Sequence, residues 1–167
     1  YVGLSGEHPQ SYQYFMHQNL YSRVNLASNN THIPDGLAKD AVQECKRYEE
    51  LLHSLGGMDV LVLGIGNNGH IAFNEPSDSF AKETHAVKLT EDTRRVNGRF
   101  FDSIDDVPYY AISMGMKSIM SARSIMLLAS GEVKKKILFE SINGPITPMV
   151  PASVLQLHTN LIVVTDQ

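Results

Sequence analysis

A histidine and a glutamate five positions apart, His70 and Glu75, follow a glycine-rich loop and an apolar run. Histidine is the side chain whose unperturbed titration lies nearest neutral pH. A carboxylate beside it can orient the ring and raise its basicity, so the pair is suited to moving protons. The spacing is not the i,i+4 pattern of zinc proteases, and no third ligand accompanies it, which argues against a metal site. In a looping segment, five residues can fold back and bring the two side chains together. Spacing alone leaves open a blander reading, an imidazole satisfying loop backbone beside an exposed glutamate.

Cationic residues supply a second possible chemistry. Lys134, Lys135 and Lys136 fall in the first turn of a predicted helix that follows a strand. Cations there oppose the helix macrodipole, whereas the free N–H groups of that turn favour an anion, so phosphate binding at Lys134 would account for the placement. A solvated charge run is the alternative. Arg94, Arg95 and Arg99 share another predicted helix, with Arg99 near the Arg95 face. Guanidinium groups grip phosphate oxygens in pairs, and Glu91 and Asp92 offer ordinary surface partners. Asn67 and Asn68 fit turn positions or could hydrogen-bond a sugar hydroxyl.

These groups need elements to hold them. Val60–Ile65 reads as a buried parallel strand, the type covered on both faces, ending in a loop with Gly64, Gly66 and Gly69. The segment from Gly64 to Gly69 matches the G-x-G-x-x-G dinucleotide pattern. That pattern requires a long helix beginning inside the motif. Pro76 limits any such helix to about two to three turns. Glu83 precedes the next strand, His85–Leu89, instead of ending it, so no nicotinamide or flavin cofactor is expected.

Elsewhere, Pro9 opens a helix carrying Tyr12, Phe15, Met16 and Leu20, and a short strand is expected near Thr31–Ile33. Asp35 or Gly36 should begin a long helix to Leu55 that Gly56 and Gly57 stop. Thr90 caps a helix through about Phe101. Val107–Met114 is irregular or a short strand, and Met116–Ser121 a short helix. Ser124–Ala129 is a buried strand, followed by a helix to about Ile142, a short helix over Pro151–Leu157 and a last strand, Leu161–Val164. Alternating strands and helices predict an α/β fold, a Rossmann-like, mostly parallel sheet flanked by helices.

The 167 residues read as one domain, 1–167, with 43% apolar and 19% charged residues. The net charge of −4 and the lack of a basic arm argue against nucleic acid as a partner. No apolar run approaches a membrane span, and no signal peptide is evident, so a cytoplasmic enzyme is expected. Cys45 is the single cysteine; it lies on the apolar face formed by Leu37, Ala41, Cys45, Tyr48, Leu52 and Leu55, the place of a core thiol.

The run from Gly64 to Pro76 resembles the signature of the glucosamine-6-phosphate deaminases (isomerases). Similarity continues through Tyr1–Leu4, His8-Pro9, Ser11-Tyr12, Thr93-Arg94, Arg99–Phe101, Ser130–Lys134, Gly144–Pro148 and Pro151–Ser153. The related 6-phosphogluconolactonases share the glycine loop and the Gly-His pair, but diverge where this chain has Ile-Ala-Phe-Asn-Glu-Pro. The resemblance implies aldose–ketose isomerisation coupled to deamination: glucosamine 6-phosphate and water give fructose 6-phosphate and ammonium, with no metal or redox cofactor. It implies that His70 assists opening of the sugar ring and that Glu75 orients and tunes it. Asn68 stands where many members have an aspartate. Arg99 and Lys134 match residues that grip the 6-phosphate, and Gly64 and Gly66 let the backbone approach the sugar.

The resemblance also places an N-terminal βαβ portion before the region matching Tyr1, with a phosphate loop and the aspartate base for C2. A chain truly beginning at Tyr1 would be N-terminally truncated and expected to lose turnover. Members activated by an amino-sugar phosphate carry an arginine and a lysine where this chain has His85 and Val87, and Glu83 replaces another arginine, so activation should be weak or absent. The alternatives are a sugar-lactone hydrolase and a non-catalytic sugar-phosphate-binding protein. The small-molecule partner is a sugar phosphate in each case; monomer and homo-oligomer both remain open.

Overall fold

The structure, a computed structural model, describes residues 1–166. In chain order its elements are α1 (Tyr12–Asn19), α2 (Ala41–Ser54), β1 (Val60–Gly64), β2 (His85–Lys88), α3 (Glu91–Asn97), β3 (Tyr110–Ser113), α4 (Met116–Met120), β4 (Ser124–Ala129), α5 (Lys135–Asn143) and β5 (Leu161–Thr165), with 3₁₀ turns between several of them. They divide into two compact units. One holds Tyr1–Tyr48 and Ala86–Ile112; the other holds Glu49–His85 and the residues from Ser113 onward.

The second unit contains the α/β core. Its three strands are all parallel, in the order β1-β4-β5. The register pairs Leu63 with Leu127 and Leu127 with Val163. Strand side chains alternate between faces, so Leu61, Leu63, Ile125, Leu127 and Leu161 share one face. That face packs on Ile119 of α4, Ile137 of α5 and Leu155 of the 3₁₀ segment Pro151–Leu157. Burying side chains of this kind contributes about 1.5–3 kcal/mol each, less the entropy of ordering them.

The opposite face is open among the described residues. Val60, Val62, Leu128, Ile162 and Val164 are 42–60% exposed there. The apolar run at residues 60–65 had suggested a strand covered on both faces, but α4 and α5 cover only one.

The first unit is built mainly from caps and turns. Ser11 caps α1 by accepting from the Tyr14 amide at 3.0 Å, and Thr90 caps α3 by accepting from the Thr93 amide at 3.1 Å. Strands β2 and β3 form a separate two-stranded sheet. Three expectations fail here for local reasons, the first being that α1 starts at Tyr12 behind the Ser11 cap and leaves Pro9 outside it. The long helix begins at Ala41, because the Asp40 carboxylate accepts from the Val42 and Gln43 amides and stops the helix from extending backwards. The strand near residue 31 does not form, since the Thr31 hydroxyl and amide both turn back onto the Ser28 carbonyl. Gly56 and Gly57 end α2 with φ of 85° and 84°, a left-handed stop that residues with a Cβ rarely adopt. Cys45 is buried on α2, whereas Leu37 and Leu55 are exposed.

Candidate active site

At the carboxyl end of β1 the chain leaves the sheet and enters a tight loop. The Gly66 amide donates to the His70 carbonyl at 2.8 Å, and the Gly69 amide to the Gly66 carbonyl at 3.1 Å. No long helix follows, as Pro76 had indicated. Instead Ile71 and Asn74 form an isolated antiparallel bridge around Ala72 and Phe73, a two-residue hairpin turn. The Asn74 amide donates to the Ile71 carbonyl at 3.0 Å.

This hairpin explains how residues five apart meet. Side chains alternate along each arm, so Ile71 and Asn74 point one way and His70 and Glu75 the other. Ile71 and Asn74 are buried, and His70 Nδ1 lies 3.4 Å from Glu75 Oε2. Two glycines make room. A Cβ on Gly66 would overlap the His70 imidazole, and one on Gly69 would come within 2.9 Å of Val150. Gly69 also has a φ of 84°. At Gly64 the same position faces open space.

Asn68 completes a closed ring of hydrogen bonds. Its Nδ2 donates to Glu75 Oε2 at 2.7 Å, and its Oδ1 accepts from the His70 backbone amide at 3.2 Å and lies 2.7 Å from His70 Nδ1. The amide orientation is fixed twice, because a carboxylate only accepts and a backbone N–H only donates. Asn68 Oδ1 can therefore meet Nδ1 only if Nδ1 carries the proton. The neutral ring is the Nδ1–H tautomer, with its lone pair on Nε2. An aspartate here would add a charge; Asn68 supplies orientation without one.

Lys134 belongs to the same unit and follows β4, the neighbour of β1. Parallel strands put both carboxyl ends on one sheet edge, where open α/β sheets bind ligands. Ile137 of α5 is one of the side chains that a Cβ at Gly69 would meet, which ties that helix to the loop. The helix begins differently from expectation: Glu132–Lys134 is a 3₁₀ turn and α5 starts at Lys135. Lys135 and Lys136 have carboxylate partners, Glu132 at 4.0 Å and Glu140 at 3.7 Å. Lys134 forms no salt bridge among the described residues, and burial lowers its amine pKa from the ordinary lysine value. Asp166, at the end of β5, braces the preceding turn by accepting from the Ser130 hydroxyl at 2.7 Å and the Gly131 amide at 3.0 Å.

The three arginines separate. All lie in the first unit. Arg94 is buried, donates to the Ile104 carbonyl at 2.8 Å and the Val107 carbonyl at 3.1 Å, and stacks 3.8 Å from the Tyr109 ring centroid. It is a structural brace. Arg95 meets Asp92 at 3.3 Å on the surface. Arg99 occupies the 3₁₀ turn Gly98–Phe100, exposed, its guanidinium 4.6 Å from the Phe100 ring centroid.

Two groups escaped sequence reasoning. Glu49 of α2 accepts through Oε1 from the Thr84 amide at 2.7 Å and from the Thr84 and Ser118 hydroxyls at 2.5 Å each. Asn74 donates from Nδ2 to the Met114 carbonyl at 2.8 Å. These partners are 35 or more residues away in sequence, so no local pattern announces them.

Comparison with known proteins agrees with this geometry. Residues 4–164 match the family described as glucosamine-6-phosphate isomerases/6-phosphogluconolactonase. The glucosamine-6-phosphate deaminase of Lachnoclostridium phytofermentans is 52% identical over 164 residues, 98% of this chain and 70% of that protein. The deaminase of Thermoanaerobacter pseudethanolicus is 50% identical over 167 residues, the whole chain and 66% of that protein. The chain therefore spans about two thirds of the length of such relatives. Among solved structures, a monomeric glucosamine-6-phosphate deaminase superposes with a TM-score of 0.96 at 44% identity, covering 100% of this chain and 69% of that one. A 6-phosphogluconolactonase from Thermotoga maritima shares the fold, with a TM-score of 0.73 at 18% identity over 98% of this chain and 68% of that one. With nearly its full length inside the family match and about half its residues identical to named deaminases, the chain belongs to the glucosamine-6-phosphate isomerase/6-phosphogluconolactonase family.

Proposed function

We propose that this chain carries proton-handling and phosphate-binding residues of a glucosamine-6-phosphate deaminase, which converts glucosamine 6-phosphate and water to fructose 6-phosphate and ammonium. The observation that carries the reading is the closed ring of Asn68, His70 and Glu75, which presents His70 Nε2 as a free acceptor at the carboxyl end of β1.

Opening a pyranose ring requires a proton to leave the anomeric hydroxyl and another to reach the ring oxygen. Nε2 takes the hydroxyl proton as the C1=O bond forms and the bond from C1 to the ring oxygen breaks, and it then delivers that proton to the ring oxygen. The imidazolium formed between these steps is stabilised by the Glu75 carboxylate, 3.4 Å from Nδ1. Asn68 holds the ring in the tautomer that can start this cycle. Lys134 supplies the ammonium for the 6-phosphate, and its partial burial makes pairing with an anion more favourable than leaving it exposed to bulk water. Arg99 matches a phosphate-binding position of the family motif. Gly64 leaves space for the sugar, while Gly66 is also required by the imidazole itself.

Activation by an amino-sugar phosphate is proposed to be weak or absent. Glu83 is already bound to Lys117 at 2.6 Å, and the His85 ring lies 3.0 Å from the Glu83 carbonyl.

The test is to supply the intact protein with glucosamine 6-phosphate and, separately, 6-phosphogluconolactone. Equimolar ammonium and fructose 6-phosphate are expected from the first. Acid release from the lactone without ammonium would replace this reading with lactone hydrolysis, and binding without turnover would replace it with a sensor.

A further inference from the structure

Asn74 has no part in the chemistry above, yet it is kept polar at a cost. It is 6% exposed, and its Oδ1 is buried without a hydrogen-bond partner among the described residues. Leaving such an acceptor unsatisfied costs about 1–3 kcal/mol, which an apolar side chain of the same size would avoid. What an apolar side chain could not do is donate. Asn74 Nδ2 donates to the Ile71 carbonyl at 3.1 Å, within the hairpin, and to the Met114 carbonyl at 2.8 Å, outside it. The turn is held at a second point, where the Phe73 amide donates to Ser113 Oγ at 3.1 Å.

The hairpin needs such anchors. Ala72 has a φ of 50°, a left-handed value that an L side chain rarely adopts and that two-residue hairpin turns normally assign to glycine, asparagine or aspartate. Local propensity does not favour this turn, so tertiary contacts must hold it. The same turn decides whether His70 and Glu75 face one another.

We propose that Asn74 is a positioning residue for the His70–Glu75 pair: by tying the hairpin to the Met114 carbonyl, it holds the Asn68–His70–Glu75 ring in the arrangement that leaves Nε2 free. The amide is the group this position requires. An aspartate would face two carbonyl oxygens, and alanine or leucine would offer no donor. The proposal deepens the deaminase reading and rests on it for the activity assay, but not for the spectroscopic one.

The test is Asn74→Ala in the intact protein. Turnover, KM and melting temperature are measured alongside imidazole ¹⁵N spectra, with His70 assigned among the seven histidines by its loss in His70→Gln. A folded variant is expected to lose about tenfold or more in kcat while KM stays within about twofold, since misplacing a catalytic group by about 1 Å can cost 10²-fold. The His70 spectrum should change from a single Nδ1–H tautomer to a mixture. Ser113→Ala should shift both readouts the same way by less, and it decides the matter if Asn74→Ala does not fold. A variant that melts lower but keeps wild-type kcat and a single Nδ1–H tautomer overturns the proposal. Should the wild type release no ammonium, the deaminase reading falls on that result, and the tautomer comparison alone decides the role of Asn74.

Discussion

Glu49 and Glu75 are glutamates of the same compact unit, both partly buried, both held by side chains from distant or looping segments, and they serve opposite ends. Glu49 accepts from two hydroxyls and a backbone amide, none of which changes protonation in the neutral range. Burial acts to raise its pKa, but the bonds from Ser118 and Thr84, with a smaller contribution from His53, outweigh it and leave the net shift downward. Glu75 instead faces an amide and an imidazole, and the imidazole can gain and lose a proton. Burial and hydrogen bonding alone do not mark a catalytic carboxylate. The imidazole neighbour, which can exchange a proton, is what singles out Glu75 for the proposed role.

The largest expected effect comes from removing the charge at Glu75. Glu75→Gln should lower kcat by about 10²–10⁴-fold, the usual contribution of positioned acid–base chemistry, with little change in melting temperature. Lys134→Ala should act on binding instead, raising KM by about 10–100-fold, which corresponds to losing one charged hydrogen bond of about 1.5–3 kcal/mol.

Glu49→Gln sharpens the contrast from the other side. It should cost about 1–2 kcal/mol of stability in chemical denaturation and leave kcat nearly intact. The sign of the pH dependence follows from the depressed carboxylate. Its stabilisation is complete above the ordinary glutamate pKa and is lost as pH falls through the lower folded value. Wild type should therefore lose stability on acidification more steeply than Glu49→Gln. The smallest effect is expected at Ala72, where Ala72→Gly relieves a positive φ and should stabilise the protein by up to about 1 kcal/mol, read from the denaturation midpoint.

What the sequence revealed divides along the same line. Strand β4 matches the predicted Ser124–Ala129, and Thr90 caps α3 as its neighbours suggested, because both signals are local. Pro76 ruled out a long helix after β1 for a local reason as well. The start of α2 was misplaced because Asp40, not Asp35, makes the capping bonds, and both aspartates are plausible from composition. The hairpin at Ile71–Asn74 left no turn signature, since Ala72 and Phe73 are not turn-forming residues and the anchors come from Ser113 and Met114. Spacing alone did not separate Arg94, Arg95 and Arg99, which share one predicted helix; only the family resemblance singled out Arg99. Only the partners of Arg94, ten and thirteen positions away, show it to be a brace.

The most direct test measures ammonium release from saturating glucosamine 6-phosphate by the intact wild type, Glu75→Gln and Glu49→Gln, with the melting temperature of each. The expected result is near-complete loss of turnover in Glu75→Gln at unchanged melting temperature, and near-normal turnover in Glu49→Gln at a lowered one. Equal turnover in Glu75→Gln and wild type, or loss of turnover only where melting temperature falls, would contradict the assignment of the His70–Glu75 hairpin as the reacting centre.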